Sequence, residues 1–314
     1  DGVEPILLEA GSQIARMSLG LPRLLRRRRP ALGHFQYAVP LRSHGRSVIT
    51  VHDLSFEGGS ALMPFRDRLV FRAAVRRSLR RADAVLTVSE FTRRELRRRY
   101  GLSDDLVYVT HNGVDPAFWS DPAAGADGTT QPRSSPRPEE YVLFVGALQV
   151  RKDPVAAVEA LALIPGGPRL LMAGPDKGAR RQVIDTAQRL GVADRVELLG
   201  HVERPMLHRL YREAACLVFP SRYEGFGLPV VEAMASGTPV VATSSAAIPE
   251  VAGDAAILVE AGDTPALAGG IERAIADRER LIPAGIRRAR SFTWRSTAER
   301  TAAVYRRVLE LPGP

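Results

Sequence analysis

The chain has 314 residues, 45% hydrophobic and 25% charged, with a net charge of +9, a composition typical of a water-soluble globular protein large enough for two domains. No stretch approaches the roughly 18 uninterrupted apolar residues of a membrane-spanning helix, and the first residues lack the pattern of a signal peptide. The single cysteine, Cys216, excludes an internal disulfide and lies in an apolar run, which predicts a buried side chain and a cytoplasmic protein.

The positive charge is concentrated in the first part of the chain. Residues 1–119 carry 20 arginines and 12 acidic residues, a net charge of +8, whereas residues 120–314 carry +1. Such a basic field attracts anionic lipid, phosphorylated substrates or nucleic acid, or it is only the solvated surface of an arginine-rich protein. Aromatic residues make up 6% of the chain and lie mostly outside the arginine clusters, so we do not expect nucleic acid as a partner.

Residues 47–110 alternate between apolar strands and helical patterns. The predicted elements are a strand at Ser47–His52, a helix at about Phe65–Arg81, a strand at Ala84–Val88, a helix capped by Ser89 and ending at Arg99, and a strand at Leu106–Thr110. This order predicts a parallel sheet covered by helices. We expect the domain to span residues 1–119 and to lack its first strands, because no apolar strand and glycine-rich turn follow Asp1.

A change of composition separates a second α/β region from the first. Residues 120–140 are rich in Pro, Gly, Ser and Thr, which is typical of an interdomain linker. The elements predicted beyond it are strands at Tyr141–Val145, Arg169–Ala173, Arg195–Leu199 and Cys216–Phe219 and helices at Pro154–Ile164, Arg180–Leu190 and Pro205–Ala214. The fold class is therefore predicted to be α/β, with two Rossmann-like, doubly wound domains, the second at residues 141–291.

The stretch PSRYEGFGLPVVEAMASGTPVV, residues 220–241, places two carboxylates around a Gly-Phe-Gly turn. It follows a predicted strand, and in an open α/β sheet the ligand crevice lies at the carboxyl ends of the strands. Gly225 and Gly227 allow unusual backbone angles, and the amides of the next helix suit a phosphate. Glu232, in the first turn of that helix, is expected to reach ribose hydroxyls, with Glu224 on the far side of the phosphate. Alternatively, Glu232 only favours the helix dipole, by about 0.3–1 kcal/mol.

Several motifs together resemble one enzyme family. The segment EGFGLPVVE resembles the E-x7-E motif of retaining GT-B glycosyltransferases, and AMASGTPVVAT with IPEVAGDAAILVE resembles their family 4. YVLFVGALQVRKDP, VITVHDLSF, ADAVLTVSEFTRREL and VTHNGVDPAFW extend the likeness over nearly the whole chain. FTWRSTAERTAAVYRRVL, residues 292–309, resembles the helix that crosses back to the N-terminal domain. The resemblance implies a GT-B fold of two domains facing a cleft, with residues 292–314 as the returning helix.

The resemblance also implies a donor site. The residues that it assigns to the nucleotide sugar are Gly146, Arg151, Lys152, Glu224, Gly225, Phe226, Gly227, Leu228 and Glu232. Arg151 and Lys152 would hold the diphosphate, and the amides of Gly227 and Leu228 would bind the distal phosphate. Composition independently favours Lys152 as a ligand of the diphosphate. Only two of the 44 basic residues are lysines, and this one follows an arginine directly, which indicates that a compact point charge is needed there.

The transferred sugar is expected to meet side chains from both domains. The resemblance implies that Glu224 contacts sugar hydroxyls and that Glu232 contacts the ribose. His52, which ends an apolar strand, would lie across the cleft near the sugar, although a hydrogen bond to backbone is an equal alternative. The catalytic set implied is His52, Arg151, Lys152 and Glu224. In the segment THNGVD we predict that His111 is a turn residue and that Gly113 has a positive φ.

The sequence contains no Asp-x-Asp pair and no His/Cys cluster with metal-ligand spacing. We therefore expect Arg151, Lys152 and helix amides, rather than a metal ion, to neutralise the leaving diphosphate, and no cofactor apart from the GDP- or UDP-linked sugar itself. The resemblance implies retention of configuration, with the leaving phosphate accepting the acceptor's proton. Within the family, the motifs of the first domain most resemble those of mannosyl and related hexosyl transferases. This resemblance favours mannose as the transferred sugar.

Two other functions stay open from the sequence. One is a GT-B epimerase or phosphorylase, and a phosphorylase would need Lys152 or Lys177 to hold pyridoxal phosphate. The other is a non-catalytic nucleotide-sugar-binding or membrane-associated GT-B protein. For a transferase, the acceptor is expected to be a glycan or a lipid-linked molecule, and the basic first domain agrees with peripheral contact at the anionic inner face of a membrane.

Overall fold

The computed structural model describes residues 20–40, 43–58, 65–119 and 141–311, together with Glu4 and Ile6. The chain forms two compact units, one from residues up to Thr110 together with those from Ala298 onward, and the other from His111–Thr297. The predicted linker at residues 120–140 lies outside the described residues. None of the helices in the described ranges is long and apolar enough to cross a membrane.

The first unit contains a four-stranded parallel sheet. Its strands are β1 (Leu32–Gln36), β2 (Arg46–Val51), β3 (Ala84–Thr87) and β4 (Val107–Val109), hydrogen-bonded in that order. Its helices are α1 (Leu21–Arg28), α2 (Phe65–Leu79) and α3 (Glu90–Tyr100). The predicted strands and helices are confirmed, and the Thr92 amide donates to the Ser89 hydroxyl at 3.1 Å, which caps α3. β1 was not predicted, because this edge strand, LGHFQ, has no run of apolar residues.

Both faces of this sheet are covered. On one face, Ile49 and Val51 of β2 pack in a cluster with Val75 and Leu79 of α2. On the other face, Val48 packs in a cluster with two valines of the C-terminal helix, Trp294–Glu310. The alternation of β2 side chains therefore supplies two cores, as expected for a parallel strand that is buried on both sides.

The C-terminal helix is tied to the first unit by polar contacts as well. Tyr305 Oη lies 2.5 Å from His34 Nδ1, and His34 Nε2 lies 2.7 Å from the Thr50 hydroxyl. Burial is the main cause that lowers the pKa of His34, which favours a neutral ring between these two hydroxyls. The residues of this helix from Ala298 onward pack with the first unit.

The second unit contains a six-stranded parallel sheet. Its strands are β5 (Tyr141–Val145), β6 (Arg169–Ala173), β7 (Val196–Gly200), β8 (Cys216–Phe219), β9 (Val240–Thr243) and β10 (Ile257–Val259). Its helices are α4 (Pro154–Ala162), α5 (Arg180–Arg189), α6 (Arg204–Glu213), α7 (Leu228–Ala235), α8 (Ile248–Ala252), α9 (Thr264–Ala276) and α10 (Arg278–Ala289). All seven elements predicted for this region are present. Cys216 is buried as predicted, and burial raises the pKa of its thiol to about 12.

The strand order of this sheet is β10-β9-β8-β5-β6-β7. Following the chain, the sheet grows from β5 in one direction to β6 and β7 and then in the opposite direction through β8, β9 and β10. The reversal lies between β5 and β8, which pair in parallel. The loops that leave these two strands therefore start side by side at one edge of the sheet, where α/β proteins of this type bind ligands.

Residues 111–119 pack differently from the sequence prediction. We assigned them to the first domain, but they belong to the second unit. The Val114 amide donates to the Phe292 carbonyl at 3.0 Å, and the Ser236 hydroxyl donates to the Phe118 carbonyl at 3.0 Å. These long-range contacts hold the segment on the second unit, and nothing in its local sequence reveals them.

Two predictions within this segment were wrong. Gly113 does not have a positive φ. A Cβ atom at this position would lie 2.1 Å from the Trp294 nitrogen, so the glycine permits a close approach of two backbones. His111 lies in irregular backbone rather than in a turn, and its Nε2 lies 3.0 Å from Glu250 Oε1.

Candidate functional site

The loops after β5 and β8 bring three predicted site residues together. Arg151 Nη1 lies 3.2 Å from Glu224 Oε2, and Lys152 Nζ lies 2.5 Å from Glu224 Oε1. The Arg151 guanidinium also donates to the Tyr223 carbonyl at 2.6 Å. The side chains of Arg151, Lys152 and Glu224 are 17%, 12% and 9% exposed, so their charges are only weakly screened by water. Two cations therefore share one carboxylate. This leaves an excess positive charge at the switch point, the place between β5 and β8 where the strand order reverses.

Lys152 is held between a ring and a glycine. Its ammonium lies 5.0 Å from the centroid of the Phe219 ring, which provides a cation–π contact. A Cβ atom on Gly146, at the end of β5, would lie 3.6 Å from the aliphatic stem of Lys152. Gly146 therefore lies beside this stem, and the predicted pair of Gly146 and Lys152 is brought together.

A second ion pair fixes the two loops to each other. Arg222 Nε donates to Asp153 Oδ2 at 2.6 Å, and the Arg222 amide donates to the Arg151 carbonyl at 2.9 Å. Asp153 has a φ of 49°, in the left-handed region that is uncommon for a residue other than glycine. The sequence did not reveal this pair, because its partners are 69 residues apart and Arg222 is one arginine among many.

Glu224 Oε1 has no hydrogen-bond partner beyond its ion pair with Lys152. Two other polar atoms at this site, Arg151 Nε and the Ser221 hydroxyl, are buried and have no hydrogen-bond partner within the described residues. Buried polar atoms are nearly always paired in folded proteins, and exceptions often mark functional sites. These two atoms lie beside the excess positive charge and are therefore candidates to contact an anionic ligand.

The helix that follows β8 begins at the predicted glycine. Gly227 is the N-cap of α7, with a φ of 100°, and has no side chain to occupy the first helical amides. A Cβ atom at Gly227 would lie 2.5 Å from Ile248 Cδ1. Leu228 is the first residue of α7, so its amide is one of those that α7 itself does not use. Gly225 is buried in the loop before this helix.

Phe226 is in the predicted loop, but its ring is directed elsewhere. The side chain is 4% exposed, and its ring centroid lies 5.4 Å from that of Phe292 and 6.1 Å from that of His111. Burying this ring with other aromatic side chains removes it from water. Any contact of Phe226 with a ligand would therefore come through its backbone.

Glu232 was predicted in the first turn of α7 but lies just beyond it. Because α7 begins at Leu228, Glu232 is its fifth residue, and the first turn contains no acidic residue. The alternative reading of Glu232 as a first-turn acid is therefore wrong. Its Oε2 accepts a hydrogen bond from Tyr211 Oη of α6 at 2.8 Å. Tyr211 was not predicted as a site residue, because the sequence shows only that it lies on a predicted helix.

Burial disfavours the ionised form of the Glu232 carboxyl group. Desolvation is the main cause that raises the pKa of Glu232, while the Tyr211 hydrogen bond and the charge of Arg204 act in the opposite direction. Arg204 itself is paired with Asp115 at 2.9 Å. Because the folded state binds this proton more tightly than the unfolded state, ionised Glu232 destabilises the fold at neutral pH.

We expect Glu232→Gln to unfold at a higher temperature than the parent chain at neutral pH. Below the usual pKa of a glutamate the two proteins should differ little, and the advantage of the variant should grow as the pH rises through the raised pKa. Thermal unfolding followed by circular dichroism over this pH range measures the difference. A variant that is less stable at neutral pH would show that the site favours the ionised carboxylate.

His52 belongs to the first unit and follows the last residue of β2. Its Nε2 lies 2.5 Å from Gln36 Oε1, so its partner is a side chain and not the backbone. Burial is the main cause that lowers the pKa of His52, and the nearby Asp53 carboxylate opposes this shift. His52 is therefore a neutral hydrogen-bonding ring at the carboxyl edge of its own sheet. Within the described ranges, no group of three His, Cys, Asp or Glu residues could hold a metal ion.

The sequence matches two glycosyltransferase family profiles and several curated relatives. The sequence profile of the glycosyl transferases group 1 matches residues 129–288, and that of glycosyltransferase family 4 matches residues 2–118. The O-antigen chain mannosyltransferase B of Escherichia coli is 29% identical over 272 residues, which cover 83% of this chain and 70% of the relative. The chain spans between 55% and 70% of the length of eight of the curated relatives that it matches.

Solved structures share the fold. Sucrose-phosphate synthase from Thermosynechococcus elongatus matches with a TM-score of 0.77 and 27% identity, over 92% of this chain and 76% of that one. HepE from Anabaena, solved in complex with UDP and glucose, matches with a TM-score of 0.72 and 18% identity, over 97% and 85% of the two chains. The predicted fold class, α/β of the GT-B type, is confirmed. By these sequence and structural matches, the chain belongs to the group 1 glycosyl transferases of glycosyltransferase family 4.

Proposed function

We propose that this protein transfers a hexose, with mannose favoured, from a nucleoside diphosphate sugar to a glycan or a lipid-linked acceptor. The observation that carries the proposal is the meeting of Arg151, Lys152 and Glu224 at the switch point of the second sheet. An excess positive charge among partly buried side chains suits a diphosphate. The name of the Escherichia coli relative supports mannose, and the complex of HepE with UDP and glucose supports a nucleotide sugar as donor.

The donor would be held by groups from two loops and one helix. Its phosphates would compete with Glu224 for Arg151 and Lys152, and the Leu228 amide at the start of α7 would bind the distal phosphate. Glu224, once it is released from the cations, would accept hydrogen bonds from sugar hydroxyls. Glu232 would bind the ribose, because a partly buried carboxylate with one hydroxyl partner can accept further hydrogen bonds.

The reaction we propose retains the configuration of the sugar. The bond between the sugar C1 and the diphosphate oxygen breaks, a bond to the acceptor hydroxyl forms on the same face, and the acceptor proton passes to the leaving phosphate. Arg151 and Lys152 would stabilise the charge of the departing diphosphate and so supply what a divalent ion supplies in other enzymes. We therefore propose metal-independent transfer. The assignment of His52 to the transferred sugar rests on the family resemblance, and its neutral ring suits a hydrogen bond to a hydroxyl.

The proposal is tested by incubating the chain with GDP-mannose or UDP-glucose and lipid-linked saccharides, with EDTA or with Mg²⁺. We expect release of nucleoside diphosphate that depends on the acceptor, equal rates in the two buffers, and an unchanged anomeric configuration by NMR. Donor binding without any transfer or hydrolysis would identify the non-catalytic alternative. An interconverted free nucleotide sugar, or turnover that needs inorganic phosphate, would instead identify an epimerase or a phosphorylase.

A further inference from the structure

The ion pair of Asp153 with Arg222 forms although the backbone of Asp153 is unfavourable. Its φ of 49° is left-handed, which raises the energy of a residue that carries a Cβ atom. Asp153 is also the N-cap residue of α4, where an aspartate usually accepts a hydrogen bond from the first helical amides, but within the described residues its side chain caps none of them. The carboxylate instead accepts from Arg222 Nε at 2.6 Å. Neither the local backbone nor the start of α4 therefore explains this aspartate.

The pair also adds little to the stability of the fold. The Arg222 side chain is 60% exposed, whereas that of Asp153 is 11% exposed. An ion pair with one partner so exposed is screened by water and contributes little to the free energy of unfolding. The pair joins the loop after β5 to the loop after β8, and these loops carry the two cations and the carboxylate of the site. A role in the site is therefore the better explanation of the pair.

The contacts that join these two loops fall into two groups. In the first group, the side chains of Arg151 and Lys152 contact the loop after β8, mainly through the Glu224 carboxylate. In the second group, the Arg222 amide donates to the Arg151 carbonyl at 2.9 Å, and the Arg222 guanidinium binds Asp153. The second group involves neither cationic side chain of the first. It therefore leaves both of these side chains available to a diphosphate.

A bound donor would affect the two groups of contacts differently. In the proposed function, the donor phosphates compete with Glu224 for the two cations, so the first group weakens as the donor binds. The second group remains intact. We propose that Asp153 and Arg222 are positioning residues, and that their ion pair keeps the two loops aligned while the diphosphate displaces the Glu224 carboxylate. This inference rests on the proposed function, because it concerns the site with the donor bound.

The test removes either partner of the pair and measures the kinetics of sugar transfer. We expect Asp153→Gly and Arg222→Ala each to lower kcat by about 10- to 100-fold, because misplacing a catalytic group by about 1 Å costs up to about 100-fold in rate. The KM for the donor should change far less than kcat, because both cations still reach the phosphates in the ground state. The double variant should be no slower than either single variant, because the two residues act as one unit.

Three variants separate this role from a loss of structure. Asp153→Asn keeps an oxygen that accepts from Arg222 Nε and should keep most of the rate. Asp153→Gly relieves the left-handed backbone, so it should unfold at about the same temperature as the parent although it transfers sugar more slowly. Glu197→Gln removes a matched ion pair, the one with Arg169 between β7 and β6, and should transfer sugar at the parent rate.

Nucleotide binding in the Glu224→Gln background tests the inference without any transfer. The amide of this variant does not hold the two cations as the carboxylate does, so the pair becomes the main connection between the loops. Adding Asp153→Gly in this background should weaken the binding of nucleoside diphosphate by a larger factor than the same change does in the parent. Calorimetry on the four proteins measures both factors.

Several results would overturn the inference. They are parent-like kcat in both Asp153→Gly and Arg222→Ala, effects on kcat that multiply in the double variant, and an Asp153→Asn variant as slow as Asp153→Gly. If the parent binds nucleotide but transfers no sugar, the proposed function fails, and the calorimetric comparison still decides the inference. Equal factors in the two backgrounds would then contradict it, and a folded parent that binds no nucleotide would contradict both.

Discussion

We expect Lys152→Ala to lower the rate of sugar transfer by about 100- to 1,000-fold, the usual effect of removing one group that stabilises developing charge. The Lys152 side chain is only 12% exposed and its ammonium lies beside Glu224 and Phe219, so water cannot readily take its place. If it neutralises the leaving diphosphate, its loss raises the barrier to cleavage of the bond to the sugar. Steady-state kinetics with the preferred nucleotide sugar measure the change.

The only other lysine provides a matched control. Lys177 lies on an exposed loop after β6, and Lys177→Ala should transfer sugar at the parent rate. Lys152→Arg should restore only part of the activity, because a planar guanidinium does not fit between the Gly146 backbone and the Phe219 ring as an ammonium does. Parent activity in Lys152→Ala would remove Lys152 from the catalytic set.

We expect Glu224→Gln to separate catalysis from nucleotide binding. The substitution keeps the size of the side chain but removes the carboxylate that Arg151 and Lys152 share. Nucleoside diphosphate should bind as tightly as before, or up to about tenfold more tightly, because the two cations lose their competitor. Transfer should fall by about 100-fold, since the sugar hydroxyls and both cations lose the group that positions them.

Calorimetry with the nucleoside diphosphate and kinetics with the donor measure the two effects on the same preparation. Glu272→Gln, at an exposed position of α9, is the matched control and should change neither quantity. Weaker nucleotide binding together with parent-like transfer would contradict the proposed role of Glu224. Loss of both activities with a lower unfolding temperature would assign Glu224 to the support of the two loops.

Much of the fold could be predicted because local patterns express it. In the second unit, apolar strands such as Cys216–Phe219 are buried on both faces, and helix starts such as Pro154 carry their own signal. β1 escaped prediction because an edge strand needs no continuous apolar run. Residues 111–119 were assigned to the wrong unit because their position depends on backbone contacts with Phe292 and Trp294, far along the chain.

Only those residues of the site that belong to recognisable sequence motifs could be predicted. Arg151, Lys152 and Glu224 were expected at one ligand, and the reversal of strand order places them in contact. The hydrogen bond between Tyr211 and Glu232 joins α6 and α7. Such a contact could not be predicted, because sequence spacing does not show which residues of two separate helices meet. Phe226 was assigned to the donor site because its motif was, whereas its apolar ring packs against the ring of Phe292.

The central claim is that the second unit binds a nucleoside diphosphate at the start of α7. Calorimetric titration of the chain with GDP, UDP and ADP, repeated on Glu232→Ala and on Glu272→Ala, tests it most directly. We predict micromolar binding of one of the three nucleotides, weakened by about 1–3 kcal/mol in Glu232→Ala and unchanged in Glu272→Ala. Binding that is equally tight in Glu232→Ala, or no binding of any of the three nucleotides by the folded chain, would contradict the claim.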